Sequence, residues 1–460
     1  MEPQHLIVRT IYNILFAVSF ALSAPFYFIK MRRRGKAQLE KTNFDWRKNF
    51  SQRFARYDAR LKQAITNRHT LWMHAVSMGE VNILTQVIKV LEPRLPNLKI
   101  VVSTTTTTGM ERLQNVLPSH ISRIYYPLDL RSWASRALNT VKPEAIVLVE
   151  AEIWPNFLWR AKSTKTPIFL INARLSPKSF RGYKLARWIF RPLFAAFTGI
   201  ATQNEADAAR LKELGARPEA IHIVGSLKYD AAKLDERRML DVPDMFRQLG
   251  VPANAQVIVG GSTHDGEETI LAEQFLRLQK TFPDLFLVLV PRHFEFAREV
   301  GKKLAATGIK FAYRTEIVQS TQYRPGEIQC LLVNSNGELK SFYKHASVVF
   351  VGKSLSITAE GGQNPIEPAA LGKPVVFGPN MSAFAEIVRN FLDADAAVQV
   401  QNPEELEKAF AELLANKERR EELGCNALKV VHENLGAIDR TVDMIVQHLE
   451  GGELYVAPGR

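Results

Sequence analysis

Cysteine is nearly absent from this 460-residue chain: Cys330 and Cys425 stand far apart and outside any metal-ligand spacing. That argues against a disulfide framework or a zinc knuckle and fits a reducing compartment. There is no internal short-period repeat, and the only low-complexity stretch is a run of threonines. Acidic residues are scarce at the start, where residues 1–70 hold fourteen Lys/Arg against four Asp/Glu. That block supplies +10 of the chain's net charge of +13. Long apolar runs are scarce too, with one instance at Thr10 to Ile29. What remains is ordinary globular composition, 46% hydrophobic and 23% charged. The length exceeds what one compact core organises, so two domains of roughly 200 residues are expected.

The apolar run has 20 uncharged residues, about the length of a helix that crosses a bilayer core. Lys30, Arg32, Arg33, Arg34 and Lys36 follow it directly, and only Arg9 precedes it. This asymmetry keeps the body of the chain on the cytoplasmic side. A cleaved signal peptide fits less well, because the run is too long and the basic cluster opposes export. A helix lying in the membrane plane is the other alternative. The basic face continues through Arg47, Lys48, Arg53, Arg56, Arg60 and Lys62. Beside an apolar segment, its expected partner is anionic lipid and not nucleic acid.

From Leu71 onward, short β-rich runs alternate with helical patterns. LWMHAVS, KIVVSTT, RIYYPL, AIVLVEAE, PIFLINARL, GIATQN and IHIVGS read as strands. After the first of them Val81, Leu84, Val87, Ile88 and Leu91 recur at helical spacing. A charged stretch with Pro243 breaks the rhythm. QVIVGGS, LFLVLVPR, QCLLVNS, SVVFVGKS, PVVFGP and AAVQV form a second series, with amphipathic helix at 404–433. This is the pattern of two doubly wound α/β domains, their strand ends facing a cleft. The expected parts are an anchor and basic flank at 1–36, a first Rossmann-like domain at 37–230 and a linker at 231–252. A second Rossmann-like domain follows at 253–435, with a C-terminal helix and tail at 436–460.

Ligands in such sheets sit beyond the strand ends, so strand-to-helix turns hold the candidates. HAVSMGE ends the first strand and places Glu80 in the first turn of a helix. It is either a carboxylate favoured by the helix dipole, worth about 0.3–1 kcal/mol, or a general base. In STTTTTG, the hydroxyls of Ser103 and Thr104 suit a phosphate or polar headgroup, though threonine also forms strands and caps helices. VEAEIWPNF places Glu150 and Glu152 at a strand end, and at most one of them is expected to serve the cleft. Arg174, in INARLS, suits an anionic substrate or an ion pair with Glu152. In the second half, GGSTHDGEE reads as a glycine turn containing Gly261 and Ser262. VPRH presents Arg292 and His293, and the Arg292 fork suits phosphate or carboxylate. In GGQNPIEPAALGKPV, Gly361 and Gly362 allow close backbone approach, Asn364 suits a cap, and Pro365 opens a helix whose N-terminus suits an anion. Glu367 suits the ribose hydroxyls of a nucleotide.

Taken together and in order, HAVSMGE, STTTTTG, VEAEIWPN, INARLS, VPRH and GGQNPIEPAALGKPVV resemble the 3-deoxy-D-manno-octulosonic acid (Kdo) transferases. These enzymes act in lipopolysaccharide synthesis at the bacterial inner membrane. The resemblance runs over roughly residues 6–440, the apolar segment included. It implies a GT-B fold, CMP-Kdo as donor, a tetraacyl lipid A precursor (lipid IVA) as acceptor, inversion, and no obligatory metal or other cofactor. It casts Glu80 as general base and Arg292 as the cation that neutralises donor charge. Gly261, Ser262, His293, Gly361, Gly362, Asn364 and Glu367 join Arg292 on the donor side. Ser103, Thr104, Glu152 and Arg174 fall on the acceptor side. Two stretches depart from the family pattern, SLSITAEGG and GSLKYD, both expected near the nucleotide. Another GT-B lipid glycosyltransferase, a UDP-sugar epimerase and an inactive lipid-binding scaffold are the rival readings.

Overall fold

The computed structural model describes residues 3–42, 50–66, 69–150, 152–230, 240–318, 320–355 and 361–451. Arg47, Lys48, the centre of SLSITAEGG (356–360), residues 231–239 and the tail beyond 451 lie outside the described residues, as do the side chains of Lys30, Arg33, Arg34 and Lys36. The chain forms two compact units, Met1–Ala231 with Leu435–Arg460, and Ala232–Asn434.

The first unit is built on strands β1 (Thr70–His74), β2 (Lys99–Thr104), β3 (Ser122–Tyr125), β4 (Ala145–Val149), β5 (Ile168–Ala173), β6 (Gly199–Thr202) and β7 (Ile221–Ile223), in the order β3-β2-β1-β4-β5-β6-β7. All neighbours pair in parallel. Parallel pairing requires crossover connections, which place helices over both faces and bury the strands from both sides. Accordingly every residue of β1, β4 and β5 is buried.

The helices that matter below are α1 (Pro3–Thr42), α2 (Met78–Leu91), α3 (Arg131–Val141), α4 (Pro155–Ser163), α5 (Pro177–Leu185), α6 (Arg187–Phe194), α7 (Glu267–Leu278) and α8 (Ala437–Gly451). On one face of the first sheet, α2 packs through Val81, Leu84, Val87, Ile88 and Leu91, the stripe its spacing predicts. Ala437, Ile438, Val442, Ile445 and Leu449 of α8 complete that core. The end of the chain therefore returns to the first unit. The opposite face is covered by α3, α4 and α6.

The described part of α1 lies on that second face. Tyr12 meets the Trp159 ring edge-on at 5.5 Å and Phe20 meets Trp133 at 6.3 Å. Ile14, Leu15, Val18, Leu22 and Phe26 are exposed. Ile7–Phe26 is long and apolar enough to cross a membrane, judged by length and composition.

The second unit repeats the plan with β8 (Val257–Thr263), β9 (Phe286–Pro291), β10 (Phe311–Tyr313), β11 (Cys330–Leu332), β12 (Val348–Val351), β13 (Val375–Phe377) and β14 (Val398–Gln399), ordered β10-β11-β9-β8-β12-β13-β14. Three details differ from the sequence expectation. β10 was not anticipated, because FAY is too short to show a period. Val242–Gln248, inside the expected linker, is helical. The 404–433 stretch is two helices, Pro403–Ala415 and Lys417–Glu433, divided at Asn416, whose side chain accepts the N–H of Arg419. The strand order reverses between β1 and β4 in the first sheet and between β8 and β12 in the second, where β11 is also inserted between β10 and β9. A doubly wound sheet opens a crevice at such a reversal.

Candidate functional site

At the first reversal, β1 runs into α2 through Ala75, Val76 and Ser77. Ser77 Oγ accepts the Glu80 N–H at 3.3 Å, and Glu80 accepts the N–H groups of Val76 and Ser77 at 2.9 and 3.2 Å. This reciprocal cap satisfies backbone donors that no helical carbonyl reaches. It also fixes Glu80 beyond the end of β1, 7% exposed. Burial raises its pKa, the cap hydrogen bonds oppose that rise, and the charge of Glu150 adds to it.

β4 ends at Val149, and Glu150 takes a left-handed conformation, φ 61°. Positions two apart share a face of a strand, and the strand has already ended at Val149, so alternation gives no reason to limit the cleft to one of the two carboxylates, contrary to expectation. Glu152 is half-buried and accepts Trp154 Nε1 at 2.8 Å. Burial pushes its pKa up to about 7, with Glu80 and Glu150 adding like charge. Glu80, Glu150 and Glu152 thus form one carboxylate group where β1 and β4 lie side by side.

Ser103 and Thr104 are fully buried. Ser103 Oγ accepts Trp72 Nε1 at 2.8 Å and lies 2.9 Å from His74 Nδ1. The hydroxyls of Thr104 and Thr106 donate to the Val76 carbonyl at 3.2 and 2.8 Å. Thr104 and Thr106 therefore brace the turn that carries Glu80. His74 is held neutral, with burial bringing its pKa down to about 3. Arg174 sits half-buried just beyond β5.

Asp129 was not singled out in the sequence, where it is one acid in an unremarkable PLDL. Its buried carboxylate accepts Tyr12 Oη at 2.9 Å and the N–H groups of Asn156 and Phe157 at 3.0 and 2.9 Å. It ties α1 to the start of α4, immediately after the Glu152 loop.

At the second reversal, Gly261 lies within β8, not in a turn. A Cβ there would fall 1.9 Å from the Tyr343 hydroxyl, so this glycine makes room for a buried ring. Ser262 follows in a left-handed conformation, φ 52°. Glu267, at the start of α7, accepts four backbone N–H groups: His264 (2.9 Å), Lys353 (2.7 Å), Ser354 (2.9 Å) and Leu355 (2.9 Å). It joins the turn after β8 to the turn after β12.

Arg292 and Lys353 bring positive charge to the surroundings of that tie. His264 is held down to about 4 by burial and by the charges of His293, Lys353 and Arg292. Arg292 and His293 are exposed beyond β9, and the His264 and His293 rings meet edge-on at 5.6 Å. Gln363 Nε2 lies 3.2 Å from His264 Nε2. The Lys353 ammonium lies 3.7 Å from where a Gly361 Cβ would be. Lys353 was legible only as part of a GKS following a strand. A pocket of about 320 Å³ opens beside this cluster, lined by His264, His293, Phe296 and Lys303.

Gly361 and Gly362 take positive φ, 111° and 71°. Asn364 Oδ1 accepts the Ile366 N–H at 3.1 Å, as a cap does. The helix it caps is a single turn, Ile366–Ala369, with Pro365 before it and not within it. Its dipole is correspondingly small, so an anion here depends on side-chain cations more than the sequence suggested. Glu367 is half-buried, with its charge reaching the buried Tyr343. GSLKYD lies in the first unit, where Asp230 accepts the Gly436 and Ile438 N–H groups, both at 2.9 Å. Within that unit the motif secures α8.

Comparison with known proteins agrees with the fold. Residues 48–231 match the family model "3-Deoxy-D-manno-octulosonic-acid transferase (kdotransferase)", and residues 303–430 match "Glycosyl transferases group 1". A glycosyltransferase from Rickettsia africae superposes with a TM-score of 0.54 at 15% identity, covering 85% of this chain and all (100%) of that one. A UDP-GlcNAc 2-epimerase from Neisseria meningitidis gives 0.56 at 16% identity, over 82% and 100%. The two parallel-sheet units and these neighbours define a GT-B fold, and the two matched family models make its class a glycosyltransferase.

The 3-deoxy-D-manno-octulosonic acid transferase of Haemophilus influenzae is 34% identical over 382 residues, 83% of this chain and 87% of that protein. That of Bordetella pertussis is 30% identical over 92% and 96%. The chain belongs to the Kdo transferase family.

Proposed function

We propose that this chain transfers Kdo from CMP-Kdo to a lipid A precursor, lipid IVA, with inversion, in lipopolysaccharide core synthesis at the cytoplasmic side of the inner membrane. The observation that carries the reading is Glu80, a buried carboxylate with a raised pKa, fixed at the strand reversal of the first unit. Each of its oxygens accepts one backbone N–H and keeps a further lone pair for a substrate proton.

In the proposed step, the acceptor hydroxyl gives its proton to Glu80 while its oxygen bonds to the anomeric carbon of Kdo. The bond from that carbon to the phosphate oxygen breaks, and its electron pair leaves with CMP. Arg292 and Lys353, with His293, meet the charge that grows on the leaving phosphate and the Kdo carboxylate. Asn364, Glu367 and the Gly361-Gly362 backbone hold the cytidine. Glu152 and Arg174 position the acceptor, and the reaction as written uses no metal. The Tyr12 face of α1 is committed to the first unit, so we place this anchor along the membrane surface with Leu15, Val18 and Leu22 toward lipid.

The test is product analysis. Purified chain, CMP-Kdo and lipid IVA should yield a lipid heavier by one or more Kdo units by mass spectrometry. Turnover with UDP-GlcNAc and none with CMP-Kdo would overturn the reading in favour of a different GT-B enzyme.

A further inference from the structure

Helices α5 and α6 present a surface that the transfer reaction does not use. Leu185, at the end of α5, is 87% exposed, and Trp188, in the first turn of α6, is 47% exposed. One exposed leucine is ordinary on a protein surface. Here, however, leucine and tryptophan sit at a helix junction, and residues 177–194 contain five Lys/Arg and no acidic residue. Lys178, Arg181, Lys184, Arg187 and Arg191 are all exposed. Of these, Lys184 pairs with Glu213 at the surface. An indole and an aliphatic tip within a collar of cations is the pattern of an element seated at the boundary of an anionic bilayer.

The way these helices are held favours the same occupant. No residue of α5 is buried. The helix is attached through half-buried Phe180 and Tyr183, the latter packing on Phe190 (4.6 Å) and Phe194 (5.5 Å). α6 buries Ile189, Leu193 and Phe194 and packs beside α4. The same α4 carries Trp159, against which α1 docks through Tyr12 and Arg9. The apolar outer face of α1 and the Leu185–Trp188 tip therefore rest on the same side of the first sheet. Tyr183 also links the patch to the carboxylate group, since burial first and the charge of Glu152 second push its hydroxyl up to about 12.

We propose that α5–α6 is a second membrane contact, in which Leu185 and Trp188 enter the headgroup boundary of an anionic bilayer while Arg181, Arg187 and their basic neighbours hold lipid phosphates. In this position α5 brings the lipid surface to the edge of the Glu80–Glu152 site. That consequence rests on the reading that the acceptor is a lipid; the contact itself does not.

The experiment labels the full-length chain with an environment-sensitive nitrobenzoxadiazole dye at position 185 (Leu185→Cys with Cys425→Ser; Cys330 is fully buried). Its control carries the dye at position 89 (Lys89→Cys), an exposed site on α2. Vesicles of phosphatidylglycerol and phosphatidylethanolamine should shift the 185 label to the blue and expose it to quenching by nitroxide lipids, leaving label 89 unchanged. In parallel, Leu185→Glu should raise the KM for acceptor held in those vesicles roughly tenfold and leave the KM in detergent unchanged. A 185 label that stays aqueous while the chain sediments with vesicles overturns the proposal. So does a shift that needs no lipid and grows with protein concentration, since a second copy would then cover the patch. A lipid-dependent shift in a chain that transfers no Kdo supports the contact and removes only the transferase reading.

Discussion

Ser77 and Glu80 cap one another: Ser77 Oγ accepts the Glu80 N–H at 3.3 Å, and Glu80 Oε1 accepts the Ser77 N–H at 3.2 Å. The proposed base is therefore also a structural element of its own turn. The two roles separate on substitution, because glutamine takes no proton but its amide oxygen can still accept one of the two N–H groups that Glu80 holds. Glu80→Gln should lower kcat by about 10²–10⁴-fold and cost about 1–3 kcal/mol of stability, since the amide nitrogen leaves the other N–H without its acceptor. Glu80→Ala should lose activity and at least as much stability, because both the Val76 and Ser77 N–H groups lose their acceptor. Thermal melts beside single-turnover assays check both, and full activity in Glu80→Gln would remove Glu80 as the base.

The carboxylate group makes pH a second probe. Glu80 acts as a base only when ionised, and both burial and the charge of Glu150 hold its pKa above the ordinary glutamate range. The acid limb of the pH–rate profile should be displaced upward accordingly. Glu150→Gln removes a like charge, so the limb should move to lower pH. A limb that stays in place shows that Glu150 does not act on the titrating group.

Stability should respond to pH in the opposite sense. Glu152 and Asp129 each remain protonated to about pH 7 in the folded chain because burial disfavours their charged forms. The unfolded chain loses those protons near pH 4. Between these values the folded state binds more protons, so both groups contribute a loss of stability as pH rises from about 4.5 to 7, and none beyond. Denaturant melts of Glu152→Gln should show a smaller fall over that window than the native chain.

Asp129 also connects the first helix to the site. Tyr12→Phe removes one hydrogen bond to a buried acid, about 1.5–3 kcal/mol if the acid is charged, and leaves the N–H contacts from α4 in place. Hydrogen exchange should rise in α1 and remain unchanged in α4. Asp129→Ala should raise it in both, because the Asn156 and Phe157 N–H groups lose their acceptor.

Much of this architecture was legible from hydrophobic pattern. Runs such as AIVLV and VVFV are buried on both faces and read directly as central strands, and the α2 stripe followed its 3.6-residue spacing. What did not show was partnership. An amphipathic stripe on α8 does not reveal that its core lies in the first unit, and no local signal marks Asp230 as the acid that holds it there. Glu80, Arg292 and Asn364 stood out because they occupy strand-to-helix turns. Asp129, Glu267 and Lys353 did not, since their roles depend on backbone groups brought close only by sheet topology. The threonine run read two ways for a related reason: a hydroxyl near a helix start serves ligand or backbone equally well, and the Val76 carbonyl that Thr104 and Thr106 reach shows only in the fold.

Glu267 gives the sharpest test of the second unit. Its carboxylate is 1% exposed and accepts four backbone N–H groups, from the turn after β8 and the turn after β12. Burial raises its pKa, and the four donors oppose that rise. In Glu267→Gln, the amide nitrogen replaces one oxygen and faces donors instead of accepting them. With Nε2 at the His264 and Lys353 side, those two N–H groups lose their acceptor, at about 1–3 kcal/mol each. The neighbouring Asp265→Asn, on an exposed side chain, should stay within about 0.5 kcal/mol. Because the tie holds the backbone of both His264 and Lys353, Glu267→Gln should also weaken CMP binding, measured by calorimetry well below the melting temperature. Loss of stability with unchanged CMP affinity would show that Glu267 only braces the fold, and that the cationic cluster keeps its geometry without it.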